Sequence, residues 1–406
     1  MIFSKKIFAK FNRNDENNEF QHSSHFFDQN EKNVLFMDNQ FLNSIDQVLR
    51  YFDSGFLTPE KIRIVFKSYN GKNKYIIDYC NSLNIEWYSY VRNADIPEIS
   101  NCLVFYPFNS SKNVRMINNR NCAHILLLHG ESNKIGSIKP LTRVYDTILV
   151  AGSIAIDRLT ENRIFESRQI SNHKVIKLGD TVLGSFDNII PGDKFGEALI
   201  GYFPTWEGGN EKENLTSLDK IYPEIFNRQS LCNSSHIAIR FHPHTGVRRP
   251  SYKKHAKDLI VKLIKNDFKI TYMLMGLPTL LEEELKHQFP CINWHKQKTL
   301  KPIKIGMAFV DNAAMEAVMD TKKILNYVLL DYSKENAAPE NYWKLKSGYQ
   351  IDMLNIKADW KVYKSRSSNL KKYYKKLIEY EHPELVAMSN ENRFDWLDKL
   401  IRNSHF

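Results

Sequence analysis

The sequence has few cysteines and no long apolar run. Five cysteines stand among its 406 residues, and none of them forms a C-x-x-C pair. An odd and dispersed set argues against a disulfide framework and against a zinc cluster, and it favours a reducing cytoplasm. Because no run of about 18 apolar residues is present, we expect no transmembrane helix. The basic N-terminal segment also lacks the apolar core of a signal peptide, although it could touch the inner face of a membrane.

Acidic pairs of the D-x-D kind, which hold divalent cations in many nucleotide-using enzymes, are missing as well. The aspartates that could have contributed to such a cation site are isolated along the chain: Asp219, Asp258, Asp267 and Asp311. We therefore expect no metal and no other cofactor. Internal repeats and low-complexity tracts are also absent, which excludes solenoid and collagen-like architectures.

Positive charge, in contrast, is abundant. The formal net charge is +11 and the pI is about 9.1, which favours an anionic partner such as nucleotide phosphates, an anionic glycan or glycolipid, acidic lipid or nucleic acid. The basic residues do not form one stripe interleaved with aromatic residues, so we expect no nucleic acid. The densest basic patch, residues 247–257, is equally compatible with a solvated helix face or a contact to an acceptor polymer.

Apolar runs of strand length alternate with segments of helical spacing along most of the chain. This βαβ rhythm predicts an α/β fold with parallel sheets. We predict two doubly wound domains, residues 33–190 and 191–364, after an extension at 1–32 that is a loop from 12 onward. A helical tail is expected at 365–406. Helices of the second domain are predicted at 215–230, 251–266, 278–288 and 313–320.

Polar residues follow several of the predicted strands, at the strand ends where open α/β sheets bind ligands. The first group is His129, Gly130 and Lys134. A histidine there can accept a proton near neutral pH, a glycine allows a tight turn, and a lysine can neutralise a phosphate. A structural histidine in a polar turn is an equally valid interpretation of these residues.

The second group is Arg240, His242 and His244, at the end of the apolar run "IAIRFHPH". Alternation along a strand places all three side chains on one face. Two histidines could bind a metal, but no carboxylate or cysteine lies close by and the arginine would repel a cation. An anion fits better, because a guanidinium binds phosphate oxygens with two hydrogen bonds. A purely structural role remains the alternative.

Two further strand ends carry weaker signals. Ser153, after "ILVAG", has the position of a helix N-cap, and a helix start of this kind can also receive an anion. Thr205 and Trp206 follow "GYFP" and precede Gly208 and Gly209, which form either a turn or a phosphate cradle.

The last strand end is "AFVDNAAMEAV". Asp311 and Asn312 end the strand and are the usual N-cap types for the helix that follows. Glu316 lies one turn further, on the helix face that could meet a nucleotide ribose.

The order of these motifs resembles the CDP-glycerol glycerophosphotransferase family, of the teichoic-acid polymerase type. The matching segments lie within residues 125–330 and read "HGESNK", "YDTILVAGS", "KVIKLGD", "YFPTWEG", "IRFHPH" and "VDNAAMEAV". The resemblance implies a GT-B fold, in which two Rossmann-like domains enclose the active site. It also implies transfer of a polyol phosphate from a CDP-activated donor to a hydroxyl acceptor.

The resemblance further implies roles for individual residues. His129 would be the catalytic base, Arg240 and His242 would hold the donor diphosphate, and Thr205 and Asp311 would line the nucleotide pocket. We extend the donor-binding set to Gly130, Lys134, Ser153, His244, Asn312 and Glu316.

This sequence departs from the family pattern at two motifs. It has Glu131-Ser132-Asn133 where the teichoic-acid enzymes more often have Thr-Pro, and Ala313-Ala314 where they usually have serines. Its motifs resemble those of enzymes of capsule or lipooligosaccharide synthesis more than those of the teichoic-acid polymerases. A GT-B glycosyltransferase that uses a CMP-, UDP- or GDP-sugar is therefore the alternative, and a cytoplasmic enzyme, soluble or peripheral at the inner membrane face, is expected in both cases.

Overall fold

The protein is described here from a computed structural model. The description covers residues 20–23, 32–38, 44–69, 73–127, 132–182, 186–193, 197–226, 234–274, 279–296, 302–347, 349–353, 383–385 and 387–406.

The first domain is built on an eight-stranded sheet. Its strands, β1 to β8, are Phe20–His22, Asn33–Met37, Ile62–Lys67, Trp87–Tyr90, Leu103–Tyr106, Ala123–Leu126, Thr147–Val150 and Val175–Lys177. Their spatial order is β1-β4-β3-β2-β5-β6-β7-β8. All neighbours are parallel except β1, which pairs antiparallel with β4. The loop predicted at 12–32 is therefore wrong at residues 20–22, which gain backbone hydrogen bonds by completing the sheet edge.

The second domain has a sheet of the same kind. Its strands, β9 to β16, are Ile189–Pro191, Leu199–Phe203, His236–Ile239, Lys269–Leu274, Asn293–Lys296, Ile303–Asp311, Leu325–Leu330 and Gln350–Asp352. Their order is β13-β12-β11-β10-β14-β15-β16, with β9 on the early part of β14, and all pairs are parallel. Two parallel sheets, each within its own α/β domain and with a cavity between them, confirm the predicted GT-B fold class.

Helices connect the strands in both domains. Helices α1 to α10 are Ser44–Asp53, Asn73–Ser82, Val114–Ile117, Ser153–Glu161, Ser167–Gln169, Ser251–Lys265, Leu280–Gln288, Ala314–Thr321, Glu340–Lys346 and Asn390–His405. Short 3-10 turns occur at Asn93–Asp95, Ser111–Asn113, Ile135–Ile138, Pro140–Val144, Pro223–Ile225 and Pro383–Leu385, and a π turn at Ile170–Lys174. The helices predicted at 251–266, 278–288 and 313–320 are confirmed to within two residues at each end.

Apolar patterning explains why these segments fold as they do. Strand β3 reads "IRIVFK", a nearly continuous apolar run, and its first five residues are buried, as expected for a parallel strand covered on both faces. In α6 the buried residues recur every three or four positions and form one stripe against the second sheet: Tyr252, Ala256, Leu259, Ile260 and Leu263. Apart from Val261 and Ile264, which are partly buried against the same core, polar and charged residues occupy the rest of that helix.

The helix predicted at 215–230 is wrong over 215–222, which forms turns. Side chains there bond to backbone amides and compete with helical hydrogen bonds. The amide of Thr216 donates to Asn214 Oδ1 (3.4 Å), and that of Leu218 donates to Thr216 Oγ1 (3.3 Å). The amide of Ser217 donates to the carboxylate of Asp311 at 3.1 Å. The segment is thus held by the neighbouring sheet rather than by itself.

The C-terminal helix returns to the first domain. The apolar side chains of α10 at Phe394, Leu397 and Ile401 are buried in the core of the first sheet. Asn33, at the start of β2, donates to Asp398 (2.8 Å) and accepts from Arg402 (2.9 Å). The end of the chain therefore covers a face of the first sheet.

A buried lysine joins α9 to α8, the helix that follows β14. Lys346 is fully buried, and its ammonium lies 3.1 Å from the carboxylate of Glu316 and 2.8 Å from that of Asp320. Burial alone would lower the pKa of Lys346, but the two carboxylates raise it. The ion group fixes α9 against α8.

We expect Lys346→Met to destabilise the protein by about 3–5 kcal/mol, because it leaves two carboxylates buried without their cation. The matched control is Lys344→Met on the same helix, where only an exposed, water-screened ion pair with Glu340 is lost and the free energy of unfolding should change little. Urea unfolding of both variants measures the difference. Equal free energies of unfolding for the two variants would show that the buried ion group is not what holds α9.

Candidate active site

A cavity of about 440 Å³ lies between the two domains. The first domain contributes residues from α1, from the segment after β6 and from α4, and the second contributes the residues that follow β10 and β11 together with the start of α8. The residues that line the cavity include Arg50, Leu127, Ser132, Lys134, Arg158, Asp180, Thr205, Trp206, Arg240, His242 and His244.

The lining of this cavity is strongly cationic. Arg50, Lys134, Arg158 and Arg240 all face it, and Asp180 is the one carboxylate among the described residues that line it. Arg240 and Arg158 are 8% and 5% exposed, so their charges act where water screens little. Such a lining favours an anionic ligand over a cation.

The carboxylate of Asp311 positions the loop that follows β10. Asp311 is the last residue of β14, is fully buried, and accepts hydrogen bonds from the amides of Thr205 (2.6 Å) and Ser217 (3.1 Å). Burial raises the pKa of Asp311 to about 6, although these hydrogen bonds and the nearby Lys134 oppose the rise. Asp311 thus acts on the cavity through Thr205.

Lys134 links the two domains at the cavity wall. Its ammonium, which comes from the first domain, donates a hydrogen bond to the hydroxyl of Thr205 in the second. Burial lowers the pKa of Lys134 to about 8, against the opposing effect of Asp311 and Glu213. The lysine is therefore mostly charged at neutral pH and loses its proton within the mildly alkaline range.

Asn133, the residue before Lys134, is also held across the domain boundary. Its side-chain carbonyl accepts from Arg158 at 3.0 Å, and its backbone carbonyl accepts from the amide of Ala337 at 2.8 Å and from Asn312 at 3.4 Å. These contacts fix the backbone that carries Lys134 against both domains.

His242 is held as a neutral hydrogen-bond donor. Its Nδ1 accepts a hydrogen bond from the amide of His244 at 3.1 Å, so the proton of the neutral ring is at Nε2. Burial, followed by the positive charges of His244, Lys134 and Arg240, lowers the pKa of His242 well below its usual value. The ring stacks on Trp206 with centroids 5.9 Å apart and an interplanar angle of 18°.

A second buried carboxylate shapes the loop after β11. Glu207 is fully buried and accepts from the amides of Gly246 (3.0 Å), Arg248 (3.1 Å) and Arg249 (3.0 Å). Gly246 has φ +73°, and a Cβ there would lie 2.3 Å from the side chain of Lys253, so only glycine fits this turn. Since the turn follows His244 directly, Glu207 sets the path of the loop that carries both histidines.

The structure brings together five of the predicted site residues at the cavity: Lys134, Thr205, Arg240, His242 and His244. His129 and Gly130 lie outside the described residues. Leu127 and Ser132, which flank that segment, both line the cavity.

The other predicted site residues lie beside this cavity rather than in its described lining. Ser153 is not the N-cap of α4, because the helix begins at Ser153 itself and Gly152 is the N-cap; its hydroxyl accepts instead from Lys177 at 3.5 Å. Asp311 and Asn312 are not N-caps either. Strand β14 runs on through Asp311, so the cap position falls at Ala313.

Glu316 faces α9 and its own helix rather than the large cavity. It pairs with Lys346 and accepts a hydrogen bond from the hydroxyl of Tyr342. It also lines a smaller cavity of about 100 Å³ between α4 and α8, to which Ser132 and Arg158 contribute as well. A ribose contact at Glu316 remains a sequence-based prediction.

Sequence reasoning missed Arg50 and Arg158. Both lie within amphipathic helices, α1 and α4, where the sequence pattern predicts that an isolated arginine lies on the solvent-exposed face. No local pattern distinguishes them, because only the packing of the helices against the cleft turns their side chains toward the ligand space.

Within the part of the chain that the structure describes, no group of three or more His, Cys, Asp or Glu side chains could hold a metal ion. None of the described helices is both long and apolar enough to cross a membrane.

Comparison with known proteins gives low-identity structural matches. No protein-family model and no curated protein matches the sequence. Similar solved structures include the wall teichoic acid polymerase TagF soaked with CDPG, at 9% identity and TM-score 0.47, over 92% of this chain and 89% of that one. A putative UDP-N-acetylglucosamine 2-epimerase from Listeria monocytogenes has 10% identity and TM-score 0.48, over 92% and 97%.

MurG from Acinetobacter baumannii is a third similar structure, at 9% identity and TM-score 0.43, over 91% of this chain and 99% of that one. At these identities the likeness assigns the chain to no family.

We predict that anion binding in the cavity weakens as pH rises through about 8, because Lys134 loses its charge there. Sulfate is the probe, since its own charge is constant in this range. From pH 7 to 9.5 its affinity should fall on the order of tenfold. In Lys134→Arg the affinity should stay level, because a guanidinium keeps its proton. Calorimetric titration measures both, and parallel pH profiles would contradict the assignment.

Proposed function

We propose that this protein is a transferase that moves a polyol phosphate, glycerol or ribitol phosphate, from a CDP-activated donor to a hydroxyl group of a bacterial surface glycan. One observation carries this proposal: Lys134 of the first domain and Arg240 and His242 of the second line one cationic cavity. A diphosphate matches that lining in charge and in hydrogen-bonding capacity. The motif order described above supports CDP as the activating group.

The reaction is an in-line displacement at the β-phosphorus of the donor. The acceptor oxygen forms a new bond to this phosphorus while the bond to the bridging oxygen breaks, and CMP leaves with the electron pair. Charge on the phosphate oxygens is matched by Arg240 and Lys134, which are in place before the reaction and need no reorganisation. Thr205 and His244 complete the donor side.

The proton of the acceptor hydroxyl needs a base, and His242 does not supply one. Its Nδ1 is already an acceptor for the amide of His244, so Nε2 carries a proton and donates to a phosphate oxygen. The base is therefore assigned to His129, on the sequence evidence, since that residue lies outside the described ones. The proposed reaction uses no metal, because Arg240 and Lys134 supply the positive charge.

A donor screen tests this proposal. The enzyme is incubated in EDTA with CDP-glycerol, CDP-ribitol and a panel of CMP-, UDP- and GDP-sugars, together with surface glycan as acceptor. Mass spectrometry should show a product that gains glycerol phosphate or ribitol phosphate. A product that gains a sugar would replace the proposal by a nucleotide-sugar glycosyltransferase, and activity that requires added Mg²⁺ would overturn the metal-free mechanism.

Binding gives a check that needs no acceptor. CMP or CDP should raise the melting temperature more than UDP or GDP does, because a ligand that binds only the folded state stabilises it.

We expect His129→Ala to lower kcat by about 10²–10⁴-fold, the usual contribution of a general base, with an unchanged melting temperature. His287→Ala, at an exposed position of α7, is the matched control and should keep full activity. A folded His129→Ala enzyme with near-normal turnover would exclude His129 as the base.

A further inference from the structure

A second cationic cluster lies in the first domain, outside the cavity. It consists of Asp38, which follows β2 directly, Lys67 and Tyr69 at the end of β3, and Lys112 and Arg115 after β5. Strands β3, β2 and β5 are neighbours in the sheet and parallel to one another. The cluster therefore sits at the carboxyl ends of three adjacent strands, which is where open α/β sheets bind ligands.

The buried carboxylate of Asp38 organises this cluster. It accepts hydrogen bonds from the hydroxyl of Tyr69 and from Arg115, and from the hydroxyl of Tyr90 at 3.2 Å. The ammonium of Lys112 lies 3.9 Å from the same carboxylate and donates to the Tyr69 hydroxyl at 2.8 Å. Three donors therefore bond to the carboxylate of Asp38, and Lys112 bonds to the hydroxyl of Tyr69, which is one of those three.

Lys67 adds a third cation to the cluster. Its ammonium lies 5.6 Å from the centre of the Tyr69 ring and 5.9 Å from that of Tyr90, while Lys112 lies 4.8 Å from the Tyr69 ring. Two of the three cations lie at the carboxylate of Asp38 and the third lies over the ring of Tyr69, so the cluster carries an excess of positive charge. Like charges held together repel one another, and a bound anion would offset that repulsion.

A short segment joins this cluster to the main cavity. Phe108 and Asn109 line the cavity, and Lys112 lies one 3-10 turn further along the chain. Asn113 in that turn donates to the hydroxyl of Tyr145 at 2.8 Å, and the same hydroxyl donates to Asn109 at 3.4 Å. The cluster is therefore attached to the wall of the cavity by a short segment of the same connection.

We propose that Lys67, Lys112 and Arg115 bind an anionic group of the acceptor, a phosphate or carboxylate carried on a sugar or polyol unit, with the ring of Tyr69 packed against that unit. This assignment rests on the proposed function, and it identifies the acceptor as an anionic glycan and the first domain as its binding site. A guanidinium and two ammonium groups suit either oxyanion.

Recessed positions favour a glycan group over a membrane surface. The side chains of Lys112 and Arg115 are 37% and 32% exposed, and their charged ends are held at Tyr69 and at Asp38. Charges held in this way reach a ligand group that enters between them. A lipid surface selects for fully extended lysines and several exposed apolar side chains, whereas within residues 111–117 only Val114 is an exposed apolar residue.

The test measures binding of glucose 6-phosphate, glucuronate and glucose by calorimetry, with Arg240→Gln as the background so that the main cavity contributes little. Glucose 6-phosphate and glucuronate should bind and glucose should not. Lys67→Gln/Lys112→Gln should weaken the anionic probes about tenfold or more. The matched control is Lys262→Gln/Lys265→Gln on the exposed face of α6, which should bind as the background does.

Hydrogen exchange locates the site, because bound probe should protect the amides of residues 111–117. Equal affinity in the Lys67→Gln/Lys112→Gln variant and in the control overturns the proposal, and so does binding only to vesicles of phosphatidylglycerol. If the double variant unfolds, the single variant Lys67→Gln is measured instead. It should fold, because Lys67 bonds to Asn93 rather than to the buried Asp38.

These measurements need no nucleotide donor, so they succeed or fail independently of the donor screen. In the active enzyme the same double variant should raise the KM for the glycan acceptor about tenfold or more and leave the KM for the donor unchanged.

Discussion

The carboxylate of Asp311 is the contact on which the second half of the cavity depends. It is buried at the end of β14 and binds the amides of Thr205 and Ser217, so two points of the connection that follows β10 are tied to one strand. Hydrogen bonds to a charged group contribute about 1.5–3 kcal/mol each, but they offset only part of the cost of burying the carboxylate, because the pKa of Asp311 is still raised. Glu207 repeats the arrangement with three amides of the next loop.

These two carboxylates accept hydrogen bonds from backbone amides, and the charged side chains that line the cavity are cationic except for Asp180. Lys134, Arg158 and Arg240 then act at short range in a site that excludes much of the water. The lowered pKa of Lys134 records the cost of burying its ammonium group. An anion beside Lys134 would favour its charged form.

The cluster in the first domain is arranged in the same way, around a buried aspartate. Asp38 is buried at a strand end and fixes Tyr69 and Arg115, as Asp311 fixes Thr205. In each domain an acidic residue therefore anchors its neighbours, and the basic residues beside it are those that we propose to bind anions. The two clusters stand at the carboxyl ends of their sheets, and the segment from Asn109 to Lys112 connects them.

The sequence by itself determined the fold class, most strands, and the cavity-lining residues Lys134, Arg240 and His242, because apolar runs and strand-end residues are local signals. It did not determine the turns at 215–222, where Asp311, distant in the chain, takes the amide of Ser217. Tertiary structure alone decided that Asp311 anchors a loop instead of capping a helix, and that α10 covers the first sheet. The physical reason is that burial and long-range hydrogen bonds depend on neighbours that no local sequence pattern encodes.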